Sequence, residues 1–101
     1  MSSPLKTITN ALGYQQITSL STAVGLTLPT KNANGSSVSP VLAVIIAEAQ
    51  AVRWRDDGVD PTASVGMPLA AGATLEYDGD LARIRFIEQA TGAKLNVSYY
   101  V

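Results

Sequence analysis

Acidic and hydroxyl side chains are concentrated in one short segment, residues 53–66, which reads RWRDDGVDPTASVG. Its carboxylates, those of Asp56, Asp57 and Asp60, are of the type that forms acid–base pairs or binds hard cations. The spacing favours neither use. An EF-hand type of calcium loop needs acidic or amide ligands at alternate positions and a final bidentate glutamate, whereas this segment ends in PTASVG.

The hydroxyl groups of Thr62 and Ser64 are candidate nucleophiles, but the chain contains no histidine and no cysteine. An imidazole is the usual base that activates a serine or threonine near neutral pH, and both missing residue types are the usual zinc ligands. We therefore expect a protein that is not an enzyme, with no catalytic residues, no metal site and no cofactor.

Chain length and charge exclude further classes of protein. With 101 residues the chain is expected to form one domain, and a net charge of −1 disfavours a nucleic-acid partner. No stretch approaches the ~20 apolar residues of a spanning helix, so we expect no membrane contact and synthesis in the cytoplasm. Charged residues make up only 15% of the chain. This composition fits either a surface of small polar residues or one partly buried against other protein copies.

A structural role explains the acidic segment more directly. Asp57 and Gly58 suit a turn, Pro61 fixes its own φ and makes Asp60 extended, and a threonine hydroxyl can bond to nearby backbone amides. The segment is therefore predicted to be a rigid connection between two strands. The predicted structural turn comprises Asp57, Gly58, Pro61, Thr62 and Gly66.

The arginines fall in two similar patterns, VRWR at 52–55 and RIRF at 83–86. If both patterns are strands of one sheet, the four guanidinium groups share an outer face and the apolar residues between them fill the core. That face is either simply solvated or an anchoring patch for an acidic neighbouring subunit. The candidate interface residues on the strands are Arg53, Arg55, Arg83 and Arg85. The candidate core residues are Val52, Trp54, Ile84 and Phe86, with Val97 on a later strand.

The run VLAVIIAEAQAVRWR, at 41–55, carries two competing patterns. Its alanines favour a helix, whereas its β-branched residues and tryptophan favour a strand. Strict alternation in VRWR supports the strand. We predict one long strand with a bulge or bend at 49–51, where the alternation loses phase.

The last third of the chain reads as short strands divided by turns. Predicted strands cover 74–77, 81–87 and 94–101. YDGD is predicted to be a hairpin-type turn in which Gly79 is able to take a positive φ, and QATGA is predicted to be another turn. Such spacing is typical of an antiparallel β-sandwich or small barrel, so the predicted fold is all-β and single-domain.

The first 40 residues hold only two of the fifteen charges and contain weak β-patterns at 16–20 and 23–28. They are predicted to add edge strands to the sheet, or to form an arm that becomes ordered on a partner. We divide the chain into an extended or weakly structured arm or edge segment, 1–14, and a sandwich domain, 15–101. Leu5 and Ile8 are candidate interface residues of the arm.

Residues 41–101 resemble a recurrent type of small structural protein encoded among the virion genes of tailed phages and prophages. In that type, a strand ending in R-x-R is followed by a D-G-x-x-P-T-x-x-x-G turn, a G-x-x-L hairpin, an IRFI-like strand and a final alternating strand. The matching positions here are Arg53, Arg55, Asp57, Gly58, Pro61, Thr62, Gly66, Gly72, Leu75, Ile84, Arg85, Phe86 and Ile87.

The resemblance implies a virion structural protein without enzymatic activity. Its expected role is that of a head decoration or cement protein that binds and stabilises the outer capsid surface as a homo-oligomer, such as a trimer. The expected partner is the major capsid protein or another virion protein. Two alternatives remain: a tail, baseplate or fibre component, and a carbohydrate-binding sandwich that uses tyrosines such as Tyr77, Tyr99 and Tyr100.

Overall fold

Residues 10–101, which the computed structural model describes, form eight β-strands and no helix. The prediction of an all-β protein is confirmed. In chain order the strands are β1 (Ala11–Ile17), β2 (Val24–Gly25), β3 (Leu42–Glu48), β4 (Val52–Arg55), β5 (Met67–Leu69), β6 (Thr74–Tyr77), β7 (Arg85–Glu88) and β8 (Lys94–Tyr100).

The strands form two four-stranded antiparallel sheets, which we call sheet I (β1-β8-β3-β6) and sheet II (β2-β7-β4-β5). The pairing is nested: the first strand pairs with the last, the second with the seventh, the third with the sixth and the fourth with the fifth. This nesting is the winding of an eight-stranded jelly roll, a sandwich of two sheets. Of the two architectures that the sequence allowed, the structure is therefore the sandwich.

The core lies between the sheets and follows from the alternation of each strand. On β8 the side chains of Leu95, Val97 and Tyr99 point inwards and are at most 1% exposed. Each fully buried side chain of this size contributes roughly 1.5–3 kcal/mol. The other candidate core residues Val52, Ile84 and Phe86 have no exposed surface, and Trp54 packs partly buried at the margin.

The prediction of one long strand over residues 41–55 is wrong in one respect. Its bend lies where the sequence placed it, between β3 and β4, with Ala49 at φ 74°. However, β3 belongs to sheet I and β4 to sheet II, so the bend carries the chain from one sheet to the other. Alternation resumes after the bend with a different set of neighbours.

The YDGD turn does not close a hairpin, because β6 lies in sheet I and β7 in sheet II. The backbone of Gly79 does not use the positive φ that glycine makes available. Glycine suits this position for space, since a Cβ there would overlap the phenol of Tyr77. The strand predicted from 81 begins only at Arg85, because a turn bonded from Arg83 N to Asp80 O at 3.0 Å comes first and buries Leu81.

The N-terminal strands occupy edges, as one of the two sequence interpretations proposed. β1 is an edge of sheet I and β2 an edge of sheet II. Gln15 on β1 joins two further parts of the chain, because its Oε1 accepts hydrogen bonds from Tyr99 Oη on β8 at 2.7 Å and from Thr27 N, just after β2, at 3.1 Å. Residues 11–14 of the predicted arm are thus part of β1, whereas Leu5 and Ile8 lie outside the described residues.

Candidate protein interface

The outer side of sheet II carries three arginines, because alternation on β4 and β7 points Val52 and Phe86 inwards and the guanidinium side chains outwards. Arg55 lies directly opposite Arg85, and Arg53 opposite Ile87. We call this surface, with Arg53, Arg55 and Arg85, the arginine face. Two like charges in opposite cross-strand positions repel, so each of these arginines needs a nearby acceptor or solvent.

Arg53 finds its acceptors in the loop that joins β4 to β5, residues 56–66, which we call the corner loop. Its Nη1 donates to Gly66 O at 2.8 Å and its Nε to Ala63 O at 3.3 Å. The side-chain amide of Gln89, with its oxygen turned to the guanidinium, accepts from Nε at 2.7 Å. Arg53 therefore ties the corner loop to its own sheet.

Gly66 allows the loop to approach that closely. Its φ of 141° disfavours other residues, and a Cβ there would lie 3.1 Å from Trp54 O and 3.2 Å from Arg53 Cβ. The backbone carbonyl of Gly66 can thus reach the guanidinium only because the residue has no side chain.

The middle of the corner loop is a tight turn closed by Thr62. Its amide donates to Val65 O at 2.9 Å, and its Oγ1 accepts from the Val65 amide at 3.0 Å and from the Ser64 amide at 3.3 Å. Pro61, just before the turn, is buried. The hydroxyl is committed to backbone amides, the structural use that the sequence suggested for it.

Asp57 forms an ion pair with Arg55 at the start of the corner loop. Arg55 Nε donates to Asp57 Oδ1 at 3.0 Å and Nη2 to Oδ2 at 2.5 Å. This bidentate hydrogen bonding lowers the pKa of Asp57 to about 2 and raises that of Arg55. Among residues 10–101 it is the sole ion pair, and its exposed position limits its contribution to stability.

Asp56 points the other way and joins the two sheets. Its Oδ2 accepts a hydrogen bond from Tyr77 Oη at 2.6 Å, and the Tyr77 ring packs edge-on against Trp54 with centroids 5.9 Å apart. Burial and this hydrogen bond raise the pKa of Tyr77 to about 12. Tyr77 is on β6 of sheet I and Trp54 on β4 of sheet II, so the contact fixes the corner relative to both sheets.

Arg85 and Arg83 differ in how they are held. Arg85 Nη1 donates to the carbonyls of Ala82 at 3.1 Å and Ile84 at 3.3 Å and lies over Gly25, where a Cβ would come within 2.6 Å of it. Arg83 is exposed, its Nη2 2.5 Å from where a Cβ on Gly58 would be, and it makes no side-chain hydrogen bond or ion pair within residues 10–101. Arg83 is therefore the arginine best placed to bind a partner.

Two open depressions flank these groups. One, of about 290 Å³, is lined by Arg55, Asp57 and Met67 among others, and one of about 180 Å³ by Asp60, Arg83 and Arg85. No cluster of three acidic side chains in residues 10–101 is arranged to hold a metal ion. Residues 10–101 also contain no helix that could cross a bilayer.

The structure places all the predicted turn residues in the corner loop, where Gly66 contacts Arg53, Asp57 pairs with Arg55 and Gly58 lies beside Arg83. It separates the predicted interface residues. Arg53, Arg55 and Arg85 lie on one face, whereas Arg83 lies in the turn before β7 and sits over Gly58. Sequence reasoning missed the partners Gln89 and Tyr77. It also missed the outer face of sheet I, although the absence of alternation in LAVIIA was a usable signal.

No protein-family model, curated protein or solved structure matches this chain. The contacts of the arginine face and corner loop are therefore the basis for assigning a function.

Proposed function

We propose that this protein is a structural component of a tailed-phage virion, a decoration or cement protein that binds the outer surface of the capsid through non-covalent contacts. The observation that carries the proposal is Arg83, an exposed arginine that lies against Gly58 and makes no side-chain hydrogen bond or ion pair within residues 10–101. The corner loop beside it is held in place: Arg53 bonds to Gly66, and Tyr77 joins the loop to the other sheet. Such a preorganised loop loses little conformational entropy when a partner binds beside it.

The chemistry of the surface favours an acidic protein partner. A guanidinium binds carboxylates through two parallel hydrogen bonds, and arginine is enriched in protein interfaces. Arg83 has its donors available, and Arg85 lies beside it in the same depression. The nested strand order is one that viral capsid proteins use, although lectins and cupins share it and a fold alone does not assign a function.

Binding by many weak contacts suits this surface. A decoration protein needs a rigid body, a complementary patch and the avidity of many copies, and it needs no catalytic group. The partner in this proposal is the major capsid protein or another virion protein, with homo-oligomers of the chain bound to it.

Purified particles from cells that carry the gene test the assignment. Heads and tails are separated on a density gradient, and the chain is quantified by mass spectrometry relative to the major capsid protein. We expect it in the head fraction at a copy number comparable with the capsid subunits. Recovery with tails would support the tail or baseplate alternative instead, and absence from both fractions would overturn the virion assignment.

Arg83→Glu tests the surface itself. The substitution removes no hydrogen bond within residues 10–101, so we expect normal thermal unfolding but at least about tenfold weaker co-sedimentation with heads, since like charges now face an acidic partner. Lys31→Glu, the same charge change at an exposed position of the loop before β3, is the matched control. Equal binding by the two variants would exclude Arg83 from the interface.

The carbohydrate alternative loses most of its proposed residues. Tyr77 is 8% exposed and Tyr99 is 1% exposed, so neither offers a ring face to a sugar. Tyr14, which the sequence interpretation did not include, is exposed, but its hydroxyl is bonded to Asn96.

A further inference from the structure

Strand β3 is apolar on both of its faces. Ala43, Ile45 and Ala47 are fully buried in the core, and the residues between them, Leu42, Val44 and Ile46, point out of the sandwich. A strand of an antiparallel sheet with one solvated face normally alternates apolar and polar residues, as VRWR does on β4. The composition of β3 is that of a strand covered on both sides.

On β8, the neighbour of β3 towards β1, the outward residues at the centre of sheet I carry no charge; on β6, the edge strand on the other side, the exposed Glu76 lies opposite Val44 and marks the margin of the surface. Ser98 lies opposite Val44 and Asn96 opposite Ile46, with Tyr14 next in line on β1. We call this surface the uncharged face; it comprises Tyr14, Leu42, Val44, Ile46, Asn96 and Ser98. Ile46 is 39% and Tyr14 65% exposed, so side chains of both strands are accessible to a partner.

Two of the polar side chains of this face, Tyr14 and Asn96, are already hydrogen-bonded within the sheet. Asn96 Oδ1 accepts from Tyr14 Oη at 2.5 Å and from Gln16 Nε2 at 3.1 Å, and Asn96 Nδ2 donates to Glu48 Oε1 at 2.9 Å. Burying polar groups is costly chiefly when their hydrogen bonds are lost. A partner can therefore cover this network without supplying new donors or acceptors.

We propose that the uncharged face binds the same face of a second copy of this chain. The supporting observation is a pair of opposite charges at one end of the face: Lys94 on β8 lies directly opposite Glu48 on β3. These two side chains do not form an ion pair with each other within the protomer.

The register makes this face self-complementary. A two-fold axis that runs along the strands, midway between β8 and β3, places β8 over β3 of the second copy and keeps the same strand ends together. Lys94 then meets Glu48 of the second copy, and Glu48 meets Lys94 of the second copy. The aliphatic side chains of the two copies cover each other between these pairs.

The size of the face predicts a weak complex. Four strands ~4.8 Å apart and seven residues of ~3.4 Å give roughly 450 Å² in projection. That is below the ~800 Å² per partner of a standard interface. We therefore expect a weak dimer whose dissociation constant is micromolar or larger. This interface lies on the other side of the sandwich from the arginine face and does not depend on the proposed virion role.

Sedimentation velocity of the full chain from roughly 10 µM to 1 mM tests the dimer. We expect Val44→Lys to weaken self-association about tenfold or more, because the second copy would have to desolvate the new lysine, and its cross-strand neighbour Glu76 does not offset that cost. Val59→Lys is the matched control, an exposed valine of the corner loop, and is expected to leave self-association unchanged. A full chain that stays monomeric throughout, or equal effects of the two variants, would overturn the proposal.

Mixing charge variants tests the two-fold geometry. Lys94→Glu and Glu48→Lys each place like charges against the second copy, so each alone is expected to be monomeric. Their equimolar mixture pairs opposite charges at both contacts, so heterodimers are expected in the mixture. This restoration cannot arise within one protomer, and a mixture that stays monomeric would contradict the assigned axis.

Residues 1–9 are the other occupant to test. A full chain that is monomeric, together with a chain lacking residues 2–9 that dimerises, would show that its own N-terminal segment covers the face and would overturn the proposal. We expect the shortened and full chains to dimerise equally. The head-binding experiment is independent of this result, since Val44→Lys leaves the arginine face intact.

Discussion

The two outer faces of the sandwich are built in opposite ways. On sheet II the outward side chains are arginines, and the protein's own carbonyls and carboxylates bind most of their donors. On sheet I the outward side chains of β1, β8 and β3 are mainly aliphatic, hydroxyl and amide groups, several of which bond within the sheet, and the charges Glu76, Glu48 and Lys94 lie at its edge or at one end. Charge in a sequence therefore does not by itself mark the surface available to a partner, because an arginine used inside the fold has few donors left.

The difference lies in what each face stabilises. Arg53 positions the corner loop, so its removal is expected to change the stability of the protomer. Val44 contributes to the apolar character of the uncharged face on sheet I and holds no loop, so its substitution is expected to change self-association.

Gly66→Ala is expected to reduce the free energy of unfolding by about 2–3 kcal/mol, because the φ of 141° is unfavourable for alanine and the new Cβ crowds Trp54 O. Gly72→Ala is the control: its φ is 84°, but nothing lies within 4 Å of the new Cβ. Backbone strain alone makes that cost about 1 kcal/mol. Urea denaturation of both variants makes the comparison, and equal losses would contradict close packing of the corner loop.

Arg53→Met is expected to cost about 1–2 kcal/mol, since methionine keeps part of the apolar stem but loses the charged hydrogen bonds to Ala63 O and Gly66 O. Arg83→Met, which removes no such bond, is expected to change stability by less than about 0.5 kcal/mol. Hydrogen exchange sharpens the result. The Val65 amide is expected to exchange faster in Arg53→Met than in Arg83→Met, and the same rate in both would mean that Arg53 does not hold the loop.

Loss of the exposed Asp57–Arg55 ion pair is expected to have the smallest effect on stability of these changes. The pKa of Asp57 is lowered from 3.8 to about 2 by the hydrogen bonds from Arg55, so the folded state favours the carboxylate. The stabilisation is present above pH 3.8 and is lost as the pH falls through about 2. An NMR titration of the Asp57 carboxyl carbon is expected to show a midpoint near 2 in the parent chain and a return towards 3.8 in Arg55→Met. An unchanged midpoint in that variant would assign the shift to another cause.

Local patterns predicted the strands with the clearest alternation. VRWR and the last strand have the faces that the sequence indicated, and Val52, Phe86 and Val97 are in the core because apolar residues at every second position must share one side. The strand at 74–77 and the break near Ala49 also follow from short-range signals. The fold class could be predicted from the sequence for this reason.

The connections between strands could not be predicted in the same way. YDGD has the composition of a hairpin turn, but composition does not state which strand comes next to β6. Gly79 is explained by the Tyr77 ring and not by a positive φ. The role of Arg53 depends on Gly66 and Gln89, residues 13 and 36 positions further along the chain, and no period in the sequence relates them.

The amino-acid sequence alone determined that the clearly alternating segments are extended, which side of those strands is apolar, and that no histidine or cysteine chemistry is available. The tertiary structure decided that β3 and β4 belong to different sheets, that Arg53 binds its own loop and that the uncharged face is a continuous surface. The physical reason is the distance along the chain between the residues that interact. Side-chain alternation is set by neighbouring residues, whereas pairing brings β1 against β8 from the opposite end of the chain, and only the closed sandwich shows which groups meet.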